Sequence, residues 1–298
     1  MAGLAVDAVE ARSILTKTGG FLASFDFSLN PYRGCAFGCG YCYAASWVYD
    51  ARERERWGRW VQAKRNAAAL LAKAARQGKL ADARIFMSSV TDPYQPLEKR
   101  LGITRACLEV LAEHPPALLF LQTRSPLVVR DVDLLQRLGE RVLVGMSITT
   151  DREDVRRALE PGCAPIAARV AAIRSVRAAG VPTIASVAPL LPCDGERLAG
   201  LLDGAVDSVV VSTFRDDGGA GSKTRPAAYE LMRERGWARA WLAEGYERPV
   251  VEALRCRLGD VVTVGQAGFN VARAVGPHPP APSPNPGRRG DRGAVAPG

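Results

Sequence analysis

The sequence predicts an α/β fold with a parallel sheet. Apolar, β-branched runs alternate with amphipathic helical stretches from residue 27 onward, which is the pattern of βα units. Six such units can be counted, and each candidate strand is short and bounded by polar, Gly or Pro residues. A chain of 298 residues with 47% hydrophobic residues can bury one substantial core. We therefore expect a single barrel-like domain rather than two small ones.

The individual elements follow from this alternation. The predicted strands cover residues 27–32, 84–90, 117–123, 142–149, 182–187 and 207–212. The clearest helices are expected at residues 60–76 and 166–179, the second of which stops at Gly180, two residues before Pro182.

The carboxyl-terminal segment differs in composition from the rest of the chain. Residues 276–298 are rich in Pro and Gly and hold too few apolar side chains to offset the entropy of ordering. We therefore predict a core domain with a C-terminal helical extension over residues 13–275, followed by a disordered tail over residues 276–298.

Charge and apolar patterning narrow the classes of partner. The formal net charge of +9 suits a polyanionic partner such as nucleic acid, although a generally solvated basic surface explains it as well. No run of eighteen or more apolar residues occurs, and Asp7 and Glu10 stand where a signal peptide needs a basic start and an apolar middle. We expect a cytoplasmic protein without a membrane partner.

Three of the seven cysteines crowd into eight residues. Cys35, Cys39 and Cys42 have C-x3-C-x2-C spacing, and the odd count favours metal ligation in a reducing compartment over disulfides. Three thiolates on one tight turn can bind three irons of a cubane cluster, whereas structural zinc takes four protein ligands, typically from two cysteine pairs. The sequence has no second pair. We therefore predict a [4Fe-4S] cluster with one open coordination position.

Five motifs between residues 30 and 165 carry a resemblance to a known family. They are NPYRGCAFGCGYCYA at 30–44, SSVTDPYQPLE at 88–98, TRSPLVVRD at 123–131, SITTD at 147–151 and EPGCAP at 160–165. Together they resemble the radical S-adenosylmethionine (SAM) superfamily, in the branch related to spore photoproduct lyase. The resemblance implies a partial (β/α)6 TIM-type barrel, the radical SAM core, with the cluster and SAM at its C-terminal mouth.

The resemblance also implies an activity. An enzyme of this family reductively cleaves SAM at the cluster to generate a 5′-deoxyadenosyl radical, which abstracts hydrogen from a substrate that the sequence does not assign. An external one-electron reductant of the flavodoxin or ferredoxin type is the implied partner.

Motif position assigns four residues to SAM. Tyr41 would lie beside the adenine, and Ser89 would approach the methionine end. Arg124 would face the SAM carboxylate, which a guanidinium can bind through two hydrogen bonds, and Ser147 would bond the ribose. Polar residues at strand ends also serve simply as caps, and this alternative stays open for each of the four.

The remaining candidates lie in loops. Asp92, Tyr94, Gln95 and Glu98 either contact substrate or SAM, or form a rigid Pro-punctuated turn around Asp92. Cys193, just beyond the fifth predicted strand, is the candidate catalytic hydrogen donor or extra ligand, with an ordinary loop thiol as the alternative.

Three functions from different classes remain open. The first is a radical SAM enzyme of unassigned substrate. The second is a DNA lesion (photoproduct) lyase of the same branch, for which we expect strongly salt-dependent DNA binding; spore photoproduct lyase returns hydrogen from a cysteine near the mouth, and residues 86–92 contain none, which speaks against this route. The third is a non-catalytic iron–sulfur electron carrier or binding module, which the open coordination position disfavours.

Overall fold

Residues 3–213 and 226–269, which the computed structural model describes, form two sheets with helices packed around the larger one. The strands are β1 Ala5–Val9, β2 Leu15–Lys17, β3 Phe27–Leu29, β4 Tyr32–Arg33, β5 Trp60–Lys64, β6 Arg84–Met87, β7 Leu118–Thr123, β8 Val142–Ser147, β9 Thr183–Val187, β10 Ser208–Val211 and β11 Val262–Val264. The α-helices are α1 Ala51–Glu55, α2 Ala67–Arg76, α3 Glu98–Leu101, α4 Ile103–Glu113, α5 Val132–Leu138, α6 Glu153–Leu159, α7 Ile166–Ala178, α8 Gly195–Leu202, α9 Pro226–Glu234, α10 Ala238–Trp241, α11 Glu247–Leu258 and α12 Gln266–Phe269.

The larger sheet has the order β2-β3-β6-β7-β8-β9-β10-β11. The strands from β3 to β11 are parallel, and β2 runs antiparallel to β3 at one edge. The six predicted strands are confirmed as β3 and β6 to β10, whereas β2 and β11 were not predicted. Because consecutive parallel strands need crossover connections, helices cover the outer face, and the chain adopts the predicted α/β partial barrel.

The two edges of this sheet approach each other through α12. The rings of Phe21 and Phe269 lie with their centroids 5.3 Å apart. The side chain of Gln266 donates hydrogen bonds to the backbone oxygens of Gly20 and Phe21, at 3.2 and 3.0 Å. This contact covers the gap between the edges where β2 and β11, among the described strands, do not pair.

The strands present different residues to the two faces because successive side chains alternate. Outward-facing residues such as Leu119, Leu121 and Val144 pack in one cluster with helix residues such as Leu108 and Ile173. The inward-facing strand residues form a second cluster with Phe25, which precedes β3, and Phe269 of α12; its strand members are Phe86, Leu118, Phe120, Leu143, Ile184 and Val210. The interior is therefore a packed apolar plug at this level of the barrel.

Two residues beyond the inward-facing apolar residue of β6, β7, β9 and β10, the side chain is polar. Ser88 follows Phe86, Gln122 follows Phe120, Ser186 follows Ile184, and Ser212 follows Val210. All four polar residues line one cavity at the carboxyl ends of the strands. This change from apolar to polar side chains marks the boundary between the plug and the mouth of the barrel, which is where barrels of this type place functional residues.

The expected helix over residues 60–76 is wrong in its first part. Residues Trp60–Lys64 form β5, which pairs in parallel with β1 and antiparallel with β4. Helix α2 begins only after Asn66, whose side chain makes two hydrogen bonds of 2.9 Å with the backbone of Ala11. Pairing with two strands overrides the helical spacing of the apolar residues, which sequence alone does not reveal.

Other expectations have mixed outcomes. Helix α7, Ile166–Ala178, confirms the helix predicted at 166–179. Among the described residues, no helix has both the length and the apolar character needed to cross a lipid bilayer. The predicted tail over 276–298 lies outside the described residues, and the domain limits of 13–275 stay a prediction.

Replacing Phe120 with Ala should lower the free energy of unfolding by about 3–5 kcal/mol, because it opens a cavity in the plug. Phe120 is fully buried, with its ring centroid 5.0 Å from that of Phe86. Urea denaturation would measure the loss, with the partly exposed Leu101→Ala as the control. A loss below about 1 kcal/mol, the level of a typical surface change, would contradict the packed interior.

Candidate functional site

A cavity of about 600 Å³ opens at the carboxyl ends of the barrel strands. Its volume is within the usual range of small-molecule sites. The cavity is lined by every residue that the sequence assigned to the cluster or to SAM, namely Cys35, Cys39, Cys42, Tyr41, Ser89, Arg124 and Ser147. These residues come from the cysteine loop and from the ends of three strands, and the fold brings them to one cavity.

The cysteine loop, residues 34–42, starts directly from the small sheet. Strand β4 ends at Arg33, so its pairing with β5 fixes the first residue of the loop. Gly34 has φ +76°, and a Cβ there would lie 2.6 Å from the backbone oxygen of Trp60. Only glycine fits this position, because both the conformation and the close approach exclude a side chain.

The loop is held on two further sides. The side-chain oxygen of Gln95 accepts a hydrogen bond of 2.9 Å from the backbone of Ala36. We name residues 160–163 the clamp segment. This segment packs against the loop on another side. In it, Gly162 donates a hydrogen bond of 3.2 Å to the oxygen of Phe37, and a Cβ on Gly162 would lie 2.7 Å from that oxygen. Hydrogen bonds from two other segments of the chain therefore position the loop.

The carboxylate of Glu160 is the centre of a buried polar network. Its Oε1 accepts hydrogen bonds from the hydroxyls of Tyr41 and Thr149 and lies 2.8 Å from Nη1 of Arg124. Its Oε2 lies 2.6 Å from Nη2 of Arg169. Burial alone would raise the pKa of Glu160, but Arg169 and Arg124 outweigh it and lower that pKa to about 2. Glu160 therefore stays ionised and anchors both arginines.

This network orients Arg124 and Tyr41, two of the residues predicted to contact SAM. Arg124 lines the cavity with 17% of its side chain exposed, and its Nη1 also lies 2.7 Å from the hydroxyl of Tyr41. Both contacts use the same nitrogen of a guanidinium that carries five N–H donors. The sequence placed Glu160 in a motif but gave it no role.

The two predicted serines have protein partners as well as a place on the cavity wall. Ser89 accepts a hydrogen bond of 3.2 Å from the side chain of Asn30. Ser147 accepts one of 2.8 Å from Gln122, whose oxygen accepts another of 2.9 Å from Ser186. Both the capping alternative and the SAM contact therefore remain compatible with their positions.

Two buried polar atoms of the cavity wall have no hydrogen-bond partner among the described residues. They are the hydroxyl of Ser88 and the indole nitrogen of Trp57. Ser88 also has φ +80°, which is unusual for a residue with a side chain. Buried polar atoms are nearly always paired, and strained residues concentrate at functional sites. Both atoms therefore fit a cavity that binds a polar ligand, and sequence reasoning missed both.

The loop after β6 is mainly structural. Asp92 accepts hydrogen bonds of 2.9 Å from the backbone nitrogens of Tyr94 and Arg124. Gln95 and Glu98 are fully buried. Of the four candidates, Asp92 is the one among the described residues that lines the cavity, whereas Gln95 holds the cysteine loop and Glu98 begins α3.

Cys193, the catalytic candidate, is not among the described residues that line the cavity. Its backbone nitrogen donates to the hydroxyl of Tyr246 at 3.0 Å, and its sulfur lies 3.9 Å from the same oxygen. Burial raises the pKa of the Cys193 thiol to about 12. This position gives no support to hydrogen donation at the mouth and matches the alternative of a loop thiol.

The cysteine loop suits a cubane cluster better than a single ion. Among the described residues, no three His, Cys, Asp or Glu side chains converge on one metal position. A cubane instead places each thiolate on its own iron. Burial raises the pKa of Cys35 and brings that of Cys42 to about 11, so iron binding would displace their protons. The three cysteines line one cavity, and this donor set fits a [4Fe-4S] cluster.

Two relatives of known sequence each match more than half of this chain. An uncharacterized protein of Mycobacterium tuberculosis is 30% identical over 254 residues, covering 82% of this chain and 71% of the relative. An uncharacterized protein of Methanocaldococcus jannaschii is 31% identical over 166 residues, covering 56% of this chain and 61% of the relative.

Solved structures share the fold. Spore photoproduct lyase complexed with dinucleoside spore photoproduct has a TM-score of 0.60 at 16% identity, covering 87% of this chain and 81% of that one. A mutant of that enzyme with bound AdoMet and dinucleoside spore photoproduct has a TM-score of 0.58, at the same identity and coverage. The model of the Radical SAM superfamily matches residues 29–198 of the 298-residue chain. The chain therefore belongs to the radical SAM superfamily.

Proposed function

We propose that the chain binds a [4Fe-4S] cluster through Cys35, Cys39 and Cys42 and reductively cleaves SAM to generate a 5′-deoxyadenosyl radical for hydrogen abstraction from a substrate. The observation that carries this proposal is the convergence of the three cysteines with Arg124 and Tyr41 on one cavity. When bound, the reduced cluster supplies the electron that breaks a carbon–sulfur bond of SAM. An external donor of the flavodoxin or ferredoxin type, and a reducing compartment such as the cytoplasm, belong to the proposal.

The protein residues would bind and orient SAM. Arg124 offers a fixed positive charge to the SAM carboxylate, because Glu160 holds the guanidinium in place. The hydroxyl of Tyr41 donates a hydrogen bond to the carboxylate of Glu160. The ring of Tyr41 therefore offers a fixed flat surface for the adenine. Ser147 would bond the ribose, and Ser89 would approach the methionine end.

The cavity wall also favours radical chemistry by excluding water. Phe21, Leu22, Phe86, Val90 and Phe269 contribute apolar surface to it. A dry wall protects a reactive intermediate from side reactions and strengthens the electrostatic contacts within the site. The cysteines that line the cavity, among the described residues, are the three proposed iron ligands. We therefore propose no further thiol that returns a hydrogen atom to the substrate.

A DNA lesion lyase of the same branch is the second candidate. Trp47 lines the cavity with 62% of its surface exposed, and the nearby Tyr49 is fully exposed. Exposed aromatic rings beside a cavity can stack on nucleobases, and the net charge of +9 suits a polyanion. Structural neighbours hold a dinucleoside spore photoproduct, which directs this second proposal toward DNA.

After anaerobic reconstitution with iron and sulfide, dithionite and SAM should yield 5′-deoxyadenosine in wild type and none in Cys39→Ala. Chromatography would measure the product. Cys107→Ala is the matched control and should keep activity, because Cys107 is buried among apolar residues away from the cavity. An intact cluster in wild type without product would overturn the enzymatic proposal and favour the carrier or binding module.

Glu160→Gln should lower the free energy of unfolding by about 3–5 kcal/mol at pH 7, because it leaves Arg124 and Arg169 buried without their counter-ion. The folded-state pKa of Glu160 is about 2 and its ordinary value is 4.5, so its stabilisation is complete above pH 4.5 and is lost as the pH falls toward 2. The difference between wild type and variant should therefore shrink across this window.

Urea denaturation at several pH values would measure this dependence. Glu53→Gln is the control, because Glu53 pairs with Arg33 on the surface and should change stability by at most about 1 kcal/mol. An equal loss in both variants, or a loss from Glu160→Gln that does not depend on pH, would contradict the ionised network.

Trp47→Ala should weaken the binding of a single-stranded oligonucleotide by about 5- to 150-fold if the second candidate is right, because one base loses its stacking partner. Fluorescence anisotropy at several salt concentrations would measure the affinity, and Trp47→Phe should retain most of it. Binding that is absent, insensitive to salt or unchanged in Trp47→Ala would eliminate the DNA candidate.

A further inference from the structure

Cys163 contacts one of the proposed iron ligands. Its sulfur lies 3.8 Å from the sulfur of Cys39, although 124 residues separate the two in sequence. Both cysteines are about 5% exposed. An S–H hydrogen bond to sulfur can span this distance. Cys163 has no part in the cluster ligation or the SAM binding proposed above.

The backbone holds this contact from both sides. Within the clamp segment, the nitrogen of Cys163 donates to the oxygen of Glu160 at 3.0 Å. Arg156 donates a hydrogen bond of 2.9 Å to the oxygen of Cys163. The neighbouring Gly162 is hydrogen-bonded to Phe37 in the cysteine loop, so the backbone segments that carry the two sulfurs are held against each other.

The position of Cys163 differs from that of a ligand. Cys35, Cys39 and Cys42 all line the cavity, whereas Cys163 is not among the described residues that do so. It approaches Cys39 from the protein side. Such a residue can contact the ligand sulfur while it leaves the open iron position free.

Iron coordination decides the direction of the hydrogen bond. A cysteine that binds iron does so as a thiolate, which accepts hydrogen bonds and has no proton to donate. The proton shared by the two sulfurs therefore belongs to Cys163. We infer that Cys163 is a positioning residue that donates its S–H to the Cys39 thiolate and raises the reduction potential of the cluster; this inference rests on the proposed function.

The physical reason is the charge of the reduced state. Reduction adds an electron whose charge is spread partly onto the ligand sulfurs, and a hydrogen bond to such a sulfur stabilises the added charge. Hydrogen bonds to sulfur and burial are two of the means by which a protein sets cluster potentials. Removing the donor should make the cluster harder to reduce.

A redox titration of the reconstituted wild type and three variants would test the inference. Wild type, Cys163→Ala, Cys163→Ser and the control Cys107→Ala would be reconstituted anaerobically and assayed for iron and sulfide, and the reduced cluster would be followed by electron paramagnetic resonance. All four should bind the same amount of iron. The midpoint potential should become more negative in Cys163→Ala, remain at or above the wild-type value in Cys163→Ser, whose hydroxyl still donates, and stay unchanged in Cys107→Ala.

The outcomes separate this inference from the proposed function. Equal potentials in wild type and Cys163→Ala would overturn the hydrogen bond. Loss of iron in both Cys163 variants would also overturn it, because Cys163 would then act as a ligand. A wild-type protein that assembles no cluster would instead refute the proposed function on which the inference depends.

Discussion

The carboxylate of Glu160 joins three parts of the chain that are distant in sequence. It holds the cysteine loop through Tyr41, the end of β7 through Arg124, and helix α7 through Arg169. A buried carboxylate without counter-ions would lose much of its charge, so the two arginines and the acid depend on one another. This mutual dependence gives the mouth of the barrel a fixed positive group beside the three cysteines, and the proposed binding of SAM depends on it.

The clamp segment fixes the position of the cysteine loop at the mouth of the barrel. Gly162 admits the backbone of the cysteine loop where any side chain would collide with Phe37. Glu160 and Cys163, on either side of the segment, reach Tyr41 and Cys39 respectively. One short turn thus organises the geometry, the charge and, in our inference, the reduction potential of the site. A preorganised site needs little rearrangement when its ligands bind, which is an advantage for electrostatic stabilisation.

The sequence predicted the site better than it predicted the contacts that build it. The spacing of Cys35, Cys39 and Cys42 is local, and strand ends in a parallel sheet meet at one edge, so both could be read from the pattern. The strand at Trp60–Lys64 could not, because its apolar spacing also fits a helix until its partners are known. The same limit applies to Cys163, because its partner Cys39 lies 124 residues away in sequence. Cys193 was expected near the mouth because it follows a strand, but its loop turns toward Tyr246 instead.

Electron–nuclear double resonance on the reduced, reconstituted protein, with SAM labelled with ¹⁵N in its amino group, tests whether SAM binds the open iron of a cluster held in this cavity. We expect a hyperfine coupling between the labelled nitrogen and the cluster, since the amino group would bind the open iron. An intact cluster that shows no coupling to the label at saturating SAM would contradict it.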